Sequence, residues 1–240
     1  MSELLTIENL IALLTLTSLE IVLGIDNIVF ISILTGKLDS SVRNKARRLG
    51  LFGAMFMRIA LLLAISWVMR LTSPWFTALG HTITGRDVIL LVGGLFLIAK
   101  STYEIHENME IHHDPAETRR QARSFIAAIL QIMVLDIVFS LDSVITAVGM
   151  ASRVEIMIAA IVAAVVVMML FAGAVGSFIE RHPTIKILAL SFLLLIGVML
   201  VAEGLGKHIE RGYIYFAMGF SLAVELLNMR ARRAATVKGG

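Results

Sequence analysis

Acidic residues inside apolar sequence are the groups of this chain that could do chemistry. The stretch Leu19 to Ile28, LEIVLGIDNI, holds Glu20, Asp26 and Asn27 among residues otherwise suited to contact lipid. Burying a charged side chain in a bilayer is costly, and the few that occur there usually serve binding or transport. The stretch therefore predicts a functional site inside the membrane.

The same pattern of residues occurs a second time. Leu135 to Val144 reads LDIVFSLDSV and follows the first stretch at an offset of 116 positions. At this offset Asp136 matches Glu20, Asp142 matches Asp26 and Ser143 matches Asn27. Two matched sets at one offset indicate an internal repeat rather than a coincidence.

Helix geometry relates the polar side chains within each stretch. Glu20, Gly24 and Asn27 fall on one helical face, whereas Asp26 lies about 100° to one side. The second stretch repeats this arrangement. We expect local unwinding near Gly24 and Ser140, because an unwound turn would free backbone carbonyl groups for a cation.

The matched side chains offer only oxygen atoms, which suit Mg²⁺, Ca²⁺ or Mn²⁺ better than Zn²⁺ or Cu⁺. The predicted metal ligands are Glu20, Asp26, Asn27, Asp136, Asp142 and Ser143. Four carboxylates so close together repel each other. We therefore expect a divalent ion together with Arg58 to neutralise most of their charge, and proton uptake and release to be coupled to transport. The ion is a transported substrate, and no tightly bound cofactor is expected.

Three further charged residues receive a charge-balancing or gating role. Arg58 lies about 15 Å along a helix from Arg48, and is either a counter-ion of the acidic site or part of a structural bond between helices. Lys100 is near the end of the third predicted helix and could instead extend to the headgroups. Glu225 shares a face of the last helix with Ser221. This face is either part of a gate or an interfacial helix cap.

Composition places the chain among integral membrane proteins. It is 58% hydrophobic and 16% charged, with a mean hydropathy of +0.88, whereas soluble domains carry about 25% charged residues. Cysteine is absent, which excludes disulfides and thiolate metal sites. The N-terminus lacks a basic region of the kind found in cleavable signal peptides.

Hydropathy predicts an all-α fold of seven transmembrane helices in one membrane domain, residues 1–240. The predicted helices are at about 8–35, 50–70, 87–103, 125–149, 155–178, 186–203 and 212–229. The first three form repeat one, about 8–103, and the next three form repeat two, about 125–203. A cytoplasmic loop of about 104–124 joins the repeats, and a basic tail, 230–240, follows the seventh helix.

The distribution of basic residues predicts the orientation. With the N-terminus outside, 14 of the 21 Lys and Arg residues fall in cytoplasmic segments and five in outer segments. The positive-inside rule therefore favours N-out and C-in. Three helices per repeat then make the halves inverted copies, which is the usual build of secondary transporters.

These residues resemble the TerC family of membrane proteins. The resemblance rests on LEIVLGIDN, on LDIVFSLDS, on GAMFMR from Gly53 to Arg58, and on GYIYFAMGFSLAVELLN in the last helix. It covers nearly the whole chain and is greatest to the short branch that includes inner-membrane proteins. It implies a seven-helix fold related to the LysE exporters, residence in the bacterial inner membrane, and export of metal ions, with Mn²⁺ the leading substrate. Other members are associated with tellurite resistance.

Several functions stay open at this point. An exporter of amino acids or other small solutes, as in the LysE group, would use Arg58 to bind a substrate carboxylate. A membrane factor that supplies metal to exported proteins would use the same acidic site. An enzyme is not expected, because intramembrane aspartyl proteases need a GxGD motif that neither stretch contains. The expected partners are the lipid bilayer and a divalent metal ion, with no nucleic acid; a homo-oligomer is compatible with the sequence.

Overall fold

A computed structural model describes residues 6–78, 81–109, 125–150 and 153–238. Within these ranges the chain folds into eight helices and one hairpin. The elements are α1 Ile7–Gly36, α2 Ser40–Leu63, α3 Ile65–Arg70, β1 Pro74–Ala78, β2 His81–Thr84, α4 Gly85–Met109, α5 Phe125–Met150, α6 Val154–Arg181, α7 Pro183–Gly204 and α8 Arg211–Lys238.

The long helices are those of a membrane protein. Five helices of the described ranges are long and apolar enough to cross a bilayer, namely α1, α4, α6, α7 and the Arg211–Arg232 part of α8. A shorter apolar segment, Ala128–Leu141, lies in α5. The all-helical membrane class is therefore supported, while the seven spans, the inverted repeats and the N-out orientation stay predictions.

The predicted second helix, 50–70, is wrong at its start and in its continuity. α2 begins at Ser40 and ends at Leu63, and Ala64 separates it from the short helix α3. The Asp39 carboxylate caps α2 by accepting a hydrogen bond from the Ser41 backbone N–H at 2.8 Å. Hydrogen bonding from Ser41 also lowers the pKa of Asp39. Hydropathy misses this first half of α2 because it counts Arg43 and Arg47 as loop residues, although both form ion pairs with another helix.

Other element ends also differ from the prediction. α4 continues to Met109, so the first residues of the predicted loop 104–124 are helical, and residues 110–124 lie outside the described part of the chain. The predicted basic tail, 230–240, is helical as far as Lys238. An antiparallel hairpin, β1–β2, occupies the connector before α4, with Phe76 opposite Ile83. Strands this short leave too little alternation for a sequence pattern to show.

The helices pack in pairs across the two predicted repeats. α1 packs mainly on α6, α2 on α5, and α4 on α7, whereas α8 lies at the edge against α7. If the two repeats are related, α1 corresponds to α5, α2 to α6, and α4 to α7. Under this correspondence the α1–α6 pair is equivalent to the α5–α2 pair, and the α4–α7 pair is equivalent to itself. This pattern is the one expected of two related three-helix halves.

The α4–α7 pair crosses at two glycines. A Cβ on Gly94 would lie 2.8 Å from the Gly197 carbonyl oxygen, and a Cβ on Gly197 would lie 3.0 Å from the Gly94 carbonyl oxygen. Small residues allow membrane helices to approach closely, because packing rather than the hydrophobic effect holds them together. α4 and α7 thus meet backbone to backbone at this crossing.

We expect Gly94→Ala to lower the free energy of unfolding by about 1–3 kcal/mol, because the added methyl meets backbone that cannot move aside. Gly173→Ala in α6 is the matched control, since a Cβ there has no neighbour within 4 Å, and it should be neutral or stabilising by up to about 1 kcal/mol. Unfolding in mixed detergent micelles measures both. Equal stability of Gly94→Ala and the parent would contradict the crossing.

Candidate functional site

Three buried charged side chains from three helices meet in the middle of the bundle. Arg58 of α2 donates from Nη1 to Glu20 Oε2 of α1, and from Nη2 and Nε to Asp136 Oδ1 of α5, the last two at 3.2 and 3.3 Å. All three side chains are at most 5% exposed. We call Glu20, Arg58 and Asp136 the Arg58 triad.

Two neutral residues complete the surroundings of Asp136. Asn27 Nδ2 donates to Asp136 Oδ1 at 2.9 Å, and Ser140 Oγ donates to Oδ2 at 3.2 Å. Asn27 and Ser140 are themselves buried. Both carboxylate oxygens therefore accept hydrogen bonds from groups that packing holds in place, which fixes the orientation of Asp136.

The expected local unwinding near Gly24 and Ser140 is wrong. α1 and α5 are continuous α-helices through both stretches. Gly24 serves close packing instead: a Cβ there would lie 2.4 Å from the Met168 sulfur of α6. Since the helices stay regular, side chains rather than freed backbone carbonyls line the site.

The structure does not describe the side chains of three predicted ligands, and it places Lys100 away from the triad. Asp26, Asp142 and Ser143 lie in α1 and α5, but their side chains are outside the described part of the structure. Lys100 pairs with Glu104 at 2.5 Å near the end of α4 and lies 5.5 Å from the centre of the Tyr103 ring.

Glu225 occupies a different place again. It lines a groove of about 360 Å³ between α7 and α8, together with Thr184, Ser191 and Ser221. Of the three residues predicted to balance charge or act as a gate, Arg58 is the one that contacts the acidic residues of the site. The structure gives Lys100 and Glu225 other surroundings.

The triad supplies oxygen ligands but is not a complete metal site. Glu20, Asp136, Asn27 and Ser140 present oxygen atoms of the kind that hard divalent cations prefer. Among the described residues, no group of three or more His, Asp or Glu side chains is close enough to hold a metal ion. The guanidinium of Arg58 supplies the positive charge between the two carboxylates. The cage of four carboxylates therefore stays a prediction.

Two small cavities border the triad. One, of about 20 Å³, is lined by Arg58, Leu23, Phe139, Arg211 and Tyr215, among others. A water molecule needs a cavity of about 10–15 Å³, so this cavity has room for one or two water molecules.

The second cavity, of about 10 Å³, is lined by Glu20, Leu16, Val144 and Met157, among others. Both cavities are far smaller than a metal ion that keeps its shell of several water molecules. A metal ion could therefore reach the triad only if it lost most of its water or if the bundle opened.

Sequence reasoning missed a network of ion pairs at one end of the bundle. Arg43 and Arg47 pair with Glu180 of α6, and Lys37 pairs with Glu104 and Glu107 of α4. From the sequence, the Lys and Arg residues of this network indicate only how the chain is oriented in the membrane. The glycine at position 176 is one feature of the sequence that is related to this network. A Cβ there would lie 2.3 Å from Arg47 Nη2, so Gly176 makes room for the guanidinium.

Comparison with known proteins assigns the chain to a family. The family described as "Integral membrane protein TerC family" matches residues 5–239. A UPF0053 protein of Haemophilus influenzae is 57% identical over 228 residues, which cover 94% of this chain and 95% of that protein.

Two Escherichia coli proteins are also similar to the chain. The UPF0053 inner membrane protein YgdQ is 58% identical over 219 residues, covering 91% of this chain and 92% of YgdQ. The longer UPF0053 inner membrane protein YoaE is 52% identical over 222 residues, covering 92% of this chain and 43% of YoaE. No solved structure matches the chain. The chain therefore belongs to the TerC family and is a multi-pass protein of the bacterial inner membrane.

Proposed function

We propose that this protein exports a divalent metal cation, with Mn²⁺ as the first candidate, by alternating access to the Arg58 triad. The observation that carries the proposal is the buried contact of Glu20 and Asp136, which come from the two matched sequence stretches, with one arginine between them. Secondary transporters hold their substrates near the middle of the membrane, where related halves meet.

The charges of the triad support a cation as substrate. With both carboxylates ionised, Glu20, Arg58 and Asp136 carry a net charge of −1. A divalent ion that takes the place of Arg58 makes the pair of carboxylates neutral. Arg58 would then be the group that balances charge when the ion leaves. Removing such charges from water is costly unless they are compensated, which favours the exchange of one cation for another.

Asp26 and Asp142 extend this proposal from the sequence. Both carboxylates lie six residues after a member of the triad on the same helix. They would complete the oxygen shell of the ion and take up protons once the ion has left. Export would then be coupled to proton movement in the opposite direction.

An exporter of amino acids receives less support. It would need the Arg58 guanidinium to bind a substrate carboxylate, but Arg58 already donates to both Glu20 and Asp136. A factor that hands metal to exported proteins would need a partner as well as the same site. Flux through the purified protein alone separates that role from transport.

The test is ion flux in liposomes that contain the purified protein. Mn²⁺, Mg²⁺, Ca²⁺ and Zn²⁺ are compared with and without a proton gradient, with a metal-sensitive dye inside the vesicles. We expect Mn²⁺ to move fastest and an opposing proton gradient to accelerate it, because protons and the ion compete for the same carboxylates.

Empty liposomes and a basic amino acid as competitor are the controls. The metal ions should compete with one another, and the amino acid should not slow Mn²⁺ flux. Flux equal to that of empty liposomes for all four metals would exclude the proposal. Flux that an amino acid blocks would favour the second candidate.

A further inference from the structure

Ion pairs tie helices together at one end of the bundle. This end, which we call the Lys37 end, is where α1, α4 and α6 finish and α2 and α7 begin. Lys37 at the end of α1 pairs with Glu104 and Glu107 of α4. Lys186 of α7 donates to Asn108 Oδ1 of α4 at 2.5 Å. Three helices are thus joined through α4.

A second tie joins α2 to α6 at the same end. Arg43 Nη1 lies 2.7 Å from Glu180 Oε2, and Arg47 Nη2 lies 3.2 Å from Glu180 Oε1. The Arg47 side chain is only 5% exposed and rests on Gly176, where any larger residue would collide with it. The glycine and the two arginines are therefore matched in shape as well as charge.

A layer of buried apolar side chains lies between these ties and the triad. On the sides of the Arg58 triad that face the Lys37 end, the core contains Ile28, Ile31 and Leu34 of α1, Leu51 of α2 and Ile132 of α5. All five are at most 8% exposed. Water and ions would have to pass through this layer to reach the triad from the Lys37 end.

The two cavities beside the triad extend the other way. Leu16 and Val144 line the smaller cavity, and each lies on the part of its helix that runs away from the Lys37 end. Arg211 and Tyr215, in the first turns of α8, line the larger cavity. At this opposite end, two described ion pairs are longer: the Arg86 and Arg211 guanidinium nitrogens lie 3.8 and 4.0 Å from Glu203 Oε2.

We propose that the ties of Lys37 and Glu180 form the gate that closes the Lys37 end over the site. The distribution of Lys and Arg predicts that this end is cytoplasmic, so the gate would control loading of the exported ion. The inference rests on the proposed function, since a gate needs a substrate path to close. The structure then corresponds to the state with the Lys37 end shut.

α2 links the gate to the triad. Arg47 and Arg58 lie eleven residues apart on this helix, which places them about three turns apart on nearly the same face. An ion that displaces Arg58 would shift α2, and a rigid helix would carry that shift to the contacts of Arg47 and Arg43 with Glu180. Occupation of the site and closure of the gate are coupled in this way.

Thiol labelling tests the gate, because the chain contains no cysteine. Ser32→Cys places one thiol of similar size in the buried layer, where Ser32 is 1% exposed. Leu23→Cys places one in the larger cavity. Each is labelled in membrane vesicles by a charged methanethiosulfonate reagent, added from one side of the membrane at a time.

We expect Glu180→Gln or Lys37→Gln to raise the labelling rate of Ser32→Cys from the Lys37 end by about tenfold, because each removes one partner of a partly buried ion pair. Labelling of Leu23→Cys from the opposite end should fall, since only one side opens at a time. Arg48→Gln is the matched control: Arg48 neighbours Arg47 but is exposed, so neither rate should change.

Two results would overturn the gate. One is unchanged labelling of Ser32→Cys in both gate variants. The other is an equal rise at both cysteines, which general loosening of the bundle would cause. The readout needs neither metal nor transport, so altered labelling without any metal flux would support the gate while excluding the proposed substrate.

Discussion

Replacement of Arg58 by methionine should lower the free energy of unfolding by about 3–5 kcal/mol, the usual cost of removing one partner from buried ion pairs. Methionine keeps much of the volume but leaves Glu20 and Asp136 without a counter-ion. Both carboxylates are nearly inaccessible to water, so solvent cannot compensate for the loss. Unfolding in mixed detergent micelles at neutral pH measures the change.

A neutral version of the triad separates charge from packing. In the triple variant Glu20→Gln, Arg58→Met and Asp136→Asn, the triad carries no charge, and most of the lost stability should return. Arg58→Lys should fall between the parent and Arg58→Met, because an ammonium group lacks the fork that reaches two carboxylates. If the triple variant were no more stable than Arg58→Met, the loss would come from packing.

The acidic site was the most predictable part of the fold. Glu20, Asn27 and Asp136 stand out because the residues around them are apolar, and helical spacing predicts that Glu20 and Asn27 share one face of α1. Arg58 stood out through its distance from the nearest basic residue. Which carboxylates it would contact depends on how three helices pack, and no spacing within one helix contains that information.

The ends of the bundle were less predictable for the same reason. A hydropathy profile assigns Arg43, Arg47 and Glu180 to loops, because it treats every charge as exposed to water. These charges lie on helices whose neighbours supply partners, and the pairs form only once the bundle is assembled. Lys100 likewise pairs with Glu104, one helical turn away, rather than extending alone to the headgroups.

Gly24 shows how one residue type supports two opposite interpretations. A glycine in a membrane helix permits either a break or a close approach of another helix. Sequence alone favoured a break, since a cation site gains from free carbonyl groups. Met168 of α6 fills the space beside Gly24, so close approach is the physical reason, and the choice needed knowledge of the partner helix.

Asp136→Asn should reduce metal transport by about 100-fold or more while the protein still folds, because the loss of a carboxylate ligand removes both charge and an oriented acceptor. Asparagine fills the same space but presents an N–H group either to Ser140, which donates to Oδ2, or to Arg58 and Asn27, which donate to Oδ1. Flux in liposomes and unfolding in micelles are measured on the same preparation. Asp26→Asn and Asp142→Asn should have the same effect if the sequence pattern predicts the ion shell correctly.

Two companion variants make this result specific to the site. Ser140→Ala removes one hydrogen bond that orients Asp136, and should reduce transport by about tenfold, as loss of a supporting contact commonly does in metal sites. Asp87→Asn alters a buried aspartate that accepts hydrogen bonds from Thr84 at the start of α4, and should leave transport intact. Full transport by Asp136→Asn would mean that the triad only stabilises the bundle; loss in Asp87→Asn as well would mean that any buried aspartate matters. A graded loss, with Asp136 above Ser140 and Asp87 unaffected, is expected only if the ion passes through the Arg58 triad.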